Sequence, residues 1–484
     1  MAERLERDLL GERAVPADAY FGVHTLRAIE NFQISGVPIS SHPPLVRALA
    51  AVKEATARAN GELGLLDQAR TDAIVAACRE IRAGGLHDQF RVDVIQGGAG
   101  TSTNMNANEV IANRALEILG HPSGAYDVLH PLEHVNLSQS TNDVYPTAIK
   151  LALHQEVHEL IAALAELRTA FELKAREFHD VLTIGRTQLQ DAVPLTLGQM
   201  FAAVAVTIGE DEERLAEARV LLCEINLGAT AIGTGINAHP RYAEIVRRQL
   251  SEITGIALTT ATDLIEATQD AGVFVQLSGV IKRVAVKLSK TCSDLRLLSS
   301  GPRAGFGEIA LPAVQAGSSI MPGKINPVIP EVVNQVAFEV FGNDVTVTFA
   351  AESGQLQLNA FGPVIAHRLF ESLTHLRAAV VTLTERCVNG ITADRERLRR
   401  IVEYSAGLAT ALNPHIGYVR ASQVAREALA DDRSIYELVL EKGWMSRERL
   451  NEVLRPEVLS RPSVAAPQSG PTDNNNEEEL RRHG

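Results

Sequence analysis

The side chains best suited to chemistry fall in four short polar segments. They are Gly97–Asn106 (GGAGTSTNMN), Ser138–Asp143 (SQSTND), Gly185–Asp191 (GRTQLQD) and Gly317–Pro327 (GSSIMPGKINP). Each is rich in short hydroxyl and amide side chains, which donate hydrogen bonds without filling a pocket. Taken singly, any one of them reads as turn chemistry or helix capping. Four in one otherwise apolar chain point instead to a site for a small polar ligand. Lys324, set between Gly323 and the turn-forming pair Asn326-Pro327, reads as a ligand contact rather than a solvated surface lysine.

The net charge of −13 argues against a nucleic-acid partner, because binding phosphates needs a basic field. It leaves a small anionic substrate open, since a few donors and one lysine can reverse the potential inside a cleft. No GxGxxG or P-loop is present, and no His, Asp or Glu cluster has metal-ligand spacing, so no metal and no obligatory cofactor are expected. The four cysteines (Cys78, Cys223, Cys292 and Cys387) lie far apart, as buried thiols in a reducing compartment would. No apolar run is long enough to span a bilayer, and the charged start MAERLERDLLGER is unlike a signal peptide. A cytoplasmic protein without membrane contact is expected.

The elements that must position these segments are helices. Leu153, Val157, Leu160, Leu164, Leu167 and Phe171 step by four and three residues alternately, a coiled-coil-like seam. A second seam runs Phe274, Leu277, Ile281, Val284, Leu288, Cys292, Leu295 and Leu298, and stops at Ser299-Ser300-Gly301-Pro302. Further long helices are predicted from Glu331 to about Ala351 and from Pro363 to Cys387. The fold class is therefore mainly α, with a central bundle of about four long helices. We divide the chain into a mixed N-terminal domain (1–142), a central helical domain (143–390), a small helical C-terminal domain (391–459) and a disordered tail (460–484). Pro146 marks the approach to the bundle, and the tail is rich in Pro, Ser, Asn and charge.

Gly317–Asn326 matches the pattern G-S-x-x-M-P-x-K-x-N of the fumarase/aspartase superfamily, and the other three segments resemble its remaining active-site stretches in the same order. Asp8–Phe32 and Asn226–Asn237 (NLGATAIGTGIN) resemble the aspartase branch. The resemblance covers roughly residues 5–455. It implies a C–N lyase that interconverts L-aspartate with fumarate and ammonia, with fumarate hydratase as the alternative activity. Removing the weakly acidic Cβ proton leaves a carbanion that spreads into the β-carboxylate as an enediolate. A site for it must stabilise added negative charge, where one well-placed donor is worth roughly 2.7–4 kcal/mol.

Carried onto this chain, the resemblance assigns Thr101, Ser140, Thr141 and Ser319 to the β-carboxylate, and Lys324 and Asn326 to the α-carboxylate. Asn142, Thr187 and Gln188 surround the amino group, and Ser318 is the catalytic base. A serine alkoxide requires backbone N–H groups, a nearby cation and exclusion of water. The fumarase branch usually has histidine where this chain has Gln188, oriented by a glutamate corresponding to Glu331. Ammonia leaves a protonated amine without further acid assistance, so glutamine fits an ammonia-lyase. Asp143 and Asp191 read as braces for the loops, and His130 as a structural histidine rather than part of a second anion site.

The helix seams carry more apolar surface than one slender domain covers, which predicts a tetrameric helical core of closed symmetry. The resemblance adds that each site combines three chains: one gives Thr101 and Ser140–Asn142, a second Thr187-Gln188, a third Ser318–Asn326. A lens crystallin of lyase descent is disfavoured by the intact Ser318, Lys324 and Asn326. A peptide-binding helical scaffold is disfavoured by the polar loops.

Overall fold

The computed structural model describes residues 2–459; the expected tail from 460 on lies outside them. The chain is mainly α, as expected. Two short hairpins stand out among small strands: β1 (Glu3–Asp8) with β2 (Gly11–Pro16), and β3 (Leu182–Thr187) with β4 (Gln190–Thr196). The described chain divides into two compact units. The first comprises the chain up to Leu167 with Thr207–Ser293 and Val328–Thr384. The second comprises Arg168–Val206, Asp294–Pro327 and the chain from Glu385 on.

The first unit opens with α1 (Val23–Asn31), α2 (Pro43–Glu62), α3 (Gln68–Arg82) and α4 (Thr101–Ile118). Its N-terminal part is thus more helical than its mixed, Gly-rich sequence suggests. Helix α2 packs on α3 and α7 (Tyr242–Thr254) and buries Leu45, Leu49 and Val52, each contributing about 1.5–3 kcal/mol. The long helices are α5 (Thr141–Glu177), α6 (Leu197–Leu221), α9 (Gly272–Leu298), α10 (Val328–Glu352) and α11 (Gly362–Arg386), with the short α8 (Leu264–Gln269) before α9. The seam through Leu153 and Phe171 is buried along α5, and α9 ends at Leu298, where the Ser-Ser-Gly-Pro stop was read.

Polar contacts in the first unit join the five long helices into a ring. Arg219 Nε of α6 donates to the His154 carbonyl of α5 (3.2 Å), and Lys287 of α9 pairs with Asp211 of α6 (3.1 Å). Lys282 of α9 pairs with Asp344 of α10 (2.6 Å), and Asn343 of α10 donates to Ser372 of α11 (3.1 Å). Arg377 of α11 closes the ring on Glu159 of α5. Helix α6 was not anticipated: its first half, LGQMFAAVAVTIG, mixes small and β-branched residues without a clear seam.

Pro146 lies inside α5 rather than ahead of it. A proline cannot donate to the carbonyl four residues earlier, so that of Asn142 is left free. Asn226 Nδ2 takes it, at 3.0 Å, which lets the helix start at Thr141.

The second unit holds the β3–β4 hairpin and the small strands β7 (Ile309–Ala310) and β8 (Thr392–Ala393); β5 (Glu224–Ile225) and β6 (Thr259–Thr260) belong to the first. Its helices α12 (Arg395–Tyr404), α13 (Gly407–Ile416), α14 (Tyr418–Asp431), α15 (Ile435–Glu441) and α16 (Arg447–Val453) enclose a core of Leu408, Leu412, Val424, Ile435, Leu438 and Leu450. Among the described residues, no helix is long and apolar enough to cross a membrane.

Candidate active site

Two of the four polar segments form helix starts that meet in the first unit. Gly100 precedes α4 with φ +91°, and a Cβ there would lie 2.3 Å from the Tyr145 ring of α5. Only glycine allows that approach, which brings the first turn of α4, carrying exposed Thr101, against the first turns of α5. At the start of α5, Ser140 Oγ accepts from Asn142 N (3.2 Å), while Asp143 Oδ1 accepts from Ser140 N (3.0 Å). Two helix N-termini and their hydroxyls thus face one region, an arrangement suited to an anion.

A buried polar network fixes these turns. Asp143 Oδ2 accepts from Gly228 N (3.1 Å) and Thr230 N (2.9 Å), and Asn142 Nδ2 donates to the Ala231 carbonyl (2.7 Å). The segment Asn226–Asn237, noted above only for its resemblance, is therefore the clamp on Asn142 and Asp143. Burial pushes the Asp143 carboxyl up to about 6, against the pull of those backbone N–H groups and of Lys53. Asp143 is a brace, as expected.

Lys53 was not foreseen. It is wholly buried on α2 and donates to Asn136 Oδ1 (2.9 Å) and Gln139 Oε1 (2.8 Å). Asn104 Nδ2 reaches the same Asn136 oxygen (3.1 Å) and Thr141 Oγ1 (3.1 Å), so a chain of hydrogen bonds runs from Lys53 to a candidate ligand hydroxyl. Burial pulls the Lys53 amine down to about 7. The available signal was one lysine amid the apolar run LVRALAAVKEATA.

The other two segments belong to the second unit and are exposed. Thr187 and Gln188 open the β3–β4 turn, where Gln188 (φ +54°) and Leu189 (φ +63°) both hold the left-handed conformation. Such non-glycine residues cost on the order of 1–3 kcal/mol each and concentrate at functional sites. The turn's base is firmly held. Arg186 pairs with buried Glu308, stacks its guanidinium 4.5 Å from the Phe306 ring centre, and Thr183 Oγ1 donates to Glu308 (3.1 Å). Asp191 accepts from Ser405 Oγ (2.7 Å), bracing the other strand.

The fourth segment closes on itself. Gly317 N donates to the Lys324 carbonyl (2.8 Å) and Asn326 Nδ2 to the Gly317 carbonyl (2.6 Å). A Cβ on Gly317 would lie 2.5 Å from that Lys324 oxygen. Inside the loop, Ser318 Oγ accepts from Met321 N (2.9 Å) and Ile320 N (3.2 Å). Two donors on one hydroxyl oxygen favour its anionic form, the first of the three requirements stated for a serine base. Ser319 and Lys324 are exposed, with the apolar Ile320, Met321 and Ile325 beside them. Among the described residues, no hydrogen bond or ion pair joins Thr187 or Gln188 to Ser318, Lys324 or Asn326 in one chain.

His130 caps a turn of π-helix at Pro131–Val135, its Nδ1 accepting from Leu132 N (3.0 Å) and Glu133 N (3.3 Å), and so has a structural task. Glu331 lies in the first turn of α10.

The sequence profile of the Lyase family matches residues 11–342, and that of the fumarase C C-terminus matches residues 408–461. The chain belongs to the fumarase/aspartase lyase family. Family members include the aspartate ammonia-lyases of Pseudomonas canavaninivorans, 58% identical over 95% of this chain and 98% of that protein, and of Escherichia coli K12, 52% identical over 96% and 97%. Among solved structures, the fumarate lyase:delta crystallin from Brucella melitensis bound to cobalt is 57% identical with a TM-score of 0.93, over 95% of this chain and 100% of that one. A class II fumarase from Schistosoma mansoni is 33% identical with a TM-score of 0.89, over 96% and 100%.

Proposed function

We propose that this enzyme is an aspartate ammonia-lyase. The observation that carries the mechanism is the Ser318 oxygen held by two backbone N–H groups inside a glycine-bounded loop. Ser318, as alkoxide, takes the Cβ proton of L-aspartate. The electron pair enters the β-carboxylate as an enediolate, then returns to form the double bond as the C–N bond breaks. Fumarate and neutral ammonia leave, the latter from the protonated amine. The N-termini of α4 and α5, with Thr101, Ser140 and Thr141, and Ser319 stabilise the charge gathered on the β-carboxylate. Lys324 and Asn326 hold the α-carboxylate; Asn142, Thr187 and Gln188 orient the amine.

The acting form is a homotetramer in the cytoplasm whose sites each draw on three chains. An apolar stripe on α10 supports association with further copies: Phe338, Val345 and Phe349 are 61%, 53% and 68% exposed, while Asp344 and Asn343 turn toward α9 and α11. Solvent contact of that extent on one helix is costly unless another chain covers it. The exposed Leu189 and Ile320 belong to the same reading.

Fumarate absorbance measured on purified protein tests the activity. It grows with L-aspartate and not with L-malate. A malate rate equal to or above the aspartate rate would make the enzyme a fumarate hydratase instead.

A further inference from the structure

The first unit contains a cavity of about 710 Å³, walled by the N-terminal half of α2, the middle of α5, the end of α6 and residues 253–257. None of the residues assigned to the reaction lines it. Its charge is opposite to that of the chain as a whole. Arg47, Arg82 and Arg219 face it, in a protein of net charge −13. Burial and the neighbouring Arg219 pull the His154 imidazole on the same wall down to about 4, so it stays neutral near pH 7. Neither Arg47 nor Arg219 has an acidic partner among the described residues. Arg219 spends only its Nε on the His154 carbonyl, at 3.2 Å. Arg82 pairs with buried Glu54, a carboxylate that Arg58 and Arg79 also share. The local excess of positive charge is therefore real and not cancelled by its own ion pairs. The rest of the wall is apolar, with Ala48, Ala51, Leu151, Val220 and Ile256.

We infer that this cavity is a binding site for a small organic polyanion with an apolar body, an organic phosphate or a polycarboxylate. Guanidinium forks suit both carboxylate and phosphate oxygens. The volume falls in the range of about 300–1,000 Å³ usual for ligand clefts, and exceeds the need of a bare inorganic ion. The cavity also has a physical route to the catalytic turns. Cys223 on its wall leads directly into β5, which pairs with β6 just after the wall at 253–257. The next residues are the clamp: Asn226 on the Asn142 carbonyl, and Gly228 and Thr230 on Asp143. An occupant that draws the ends of α6 and α7 together biases the placement of Asn142, and so changes the KM for aspartate.

The test is isothermal titration of the full-length enzyme, with fumarate saturating the catalytic site, using AMP, citrate and inorganic pyrophosphate as probes. AMP, citrate or both bind at one site per chain with a Kd below about 1 mM, and Arg47→Gln/Arg219→Gln weakens that binding by about tenfold or more. The double variant keeps the wild-type kcat, which separates a ligand site from a folding defect. AMP alone identifies an organic phosphate, citrate alone a polycarboxylate. The bound probe shifts the KM for aspartate by about fivefold or more in the wild type and not in the variant. Absence of binding, binding that the double variant retains, or pyrophosphate binding as tightly as AMP overturns the site. Binding with an unchanged KM overturns its link to catalysis.

Discussion

The turns that start α4 and α5 differ in kind from the turn and loop that carry Thr187, Gln188 and Ser318. The first pair stands on a buried frame. Lys53, Asn136 and Asn104 are joined by hydrogen bonds, Asp143 accepts from the Ser140, Gly228 and Thr230 backbone, and Tyr145 fills the space that Gly100 leaves open. The second pair is exposed at its tip and fixed at its base, through Arg186–Glu308 and through the Gly317–Lys324 closure. Rigid donors suit charge that is always in one place, such as a bound carboxylate. A base whose proton affinity must be tuned by excluding water gains from a loop that changes its surroundings. On the proposed mechanism, the frame holds the β-carboxylate in a fixed place, while the loop brings the base Ser318 together with Lys324 and Asn326 for the α-carboxylate.

The largest effect expected from breaking this division comes from Ser318→Ala. It lowers kcat by about 1,000-fold or more, within the range for loss of a positioned base, while fumarate still binds and the melting temperature holds. Lys324→Ala in the same loop instead loses affinity for substrate and product. Single-turnover kinetics and fumarate titration separate the two. A Ser318→Ala enzyme with more than about a tenth of wild-type kcat would mean that another group is the base.

The frame responds differently. Lys53→Met keeps most of the apolar stem but removes the donor to Gln139 Oε1 and one of the donors to Asn136 Oδ1, which retains Asn104 and Asn108. It costs about 1–3 kcal/mol of stability by denaturant unfolding and raises the KM for aspartate through Thr141. Loss of kcat without loss of stability would place Lys53 in the chemistry rather than in the frame.

The smallest effect is the most diagnostic of strain. Leu189→Gly relieves a left-handed residue at the exposed turn and raises the melting temperature, by up to about 1 kcal/mol of stability. If Leu189 also rests on a neighbouring chain, the same variant weakens the tetramer by light scattering. An unchanged stability together with unchanged assembly would remove the turn's assigned strain and its contact alike.

Much of this was legible in the sequence because it depends on local rules. The 3–4 spacing of Leu153 to Phe171 and of Phe274 to Leu298 fixed two long helices, since an apolar seam at that period can be buried only on a helix. Ser299–Pro302 marked where the second one ends. The pattern GSSIMPGKIN marked the loop whose Ser318 accepts two backbone N–H groups, because glycines and a turn-forming Asn-Pro leave that backbone free to fold back on itself. Helix α6 escaped, its small and β-branched residues giving no seam, and α5 began five residues before Pro146. That last difference required Asn226, eighty-four residues away, to occupy the carbonyl that proline cannot. For the same reason Lys53 left only a faint trace, one lysine in an apolar run, and the cationic cavity left none. A buried lysine and three separated arginines, Arg47, Arg82 and Arg219, carry meaning only once tertiary packing sets their neighbours, because electrostatic environment depends on distance in space and not along the chain.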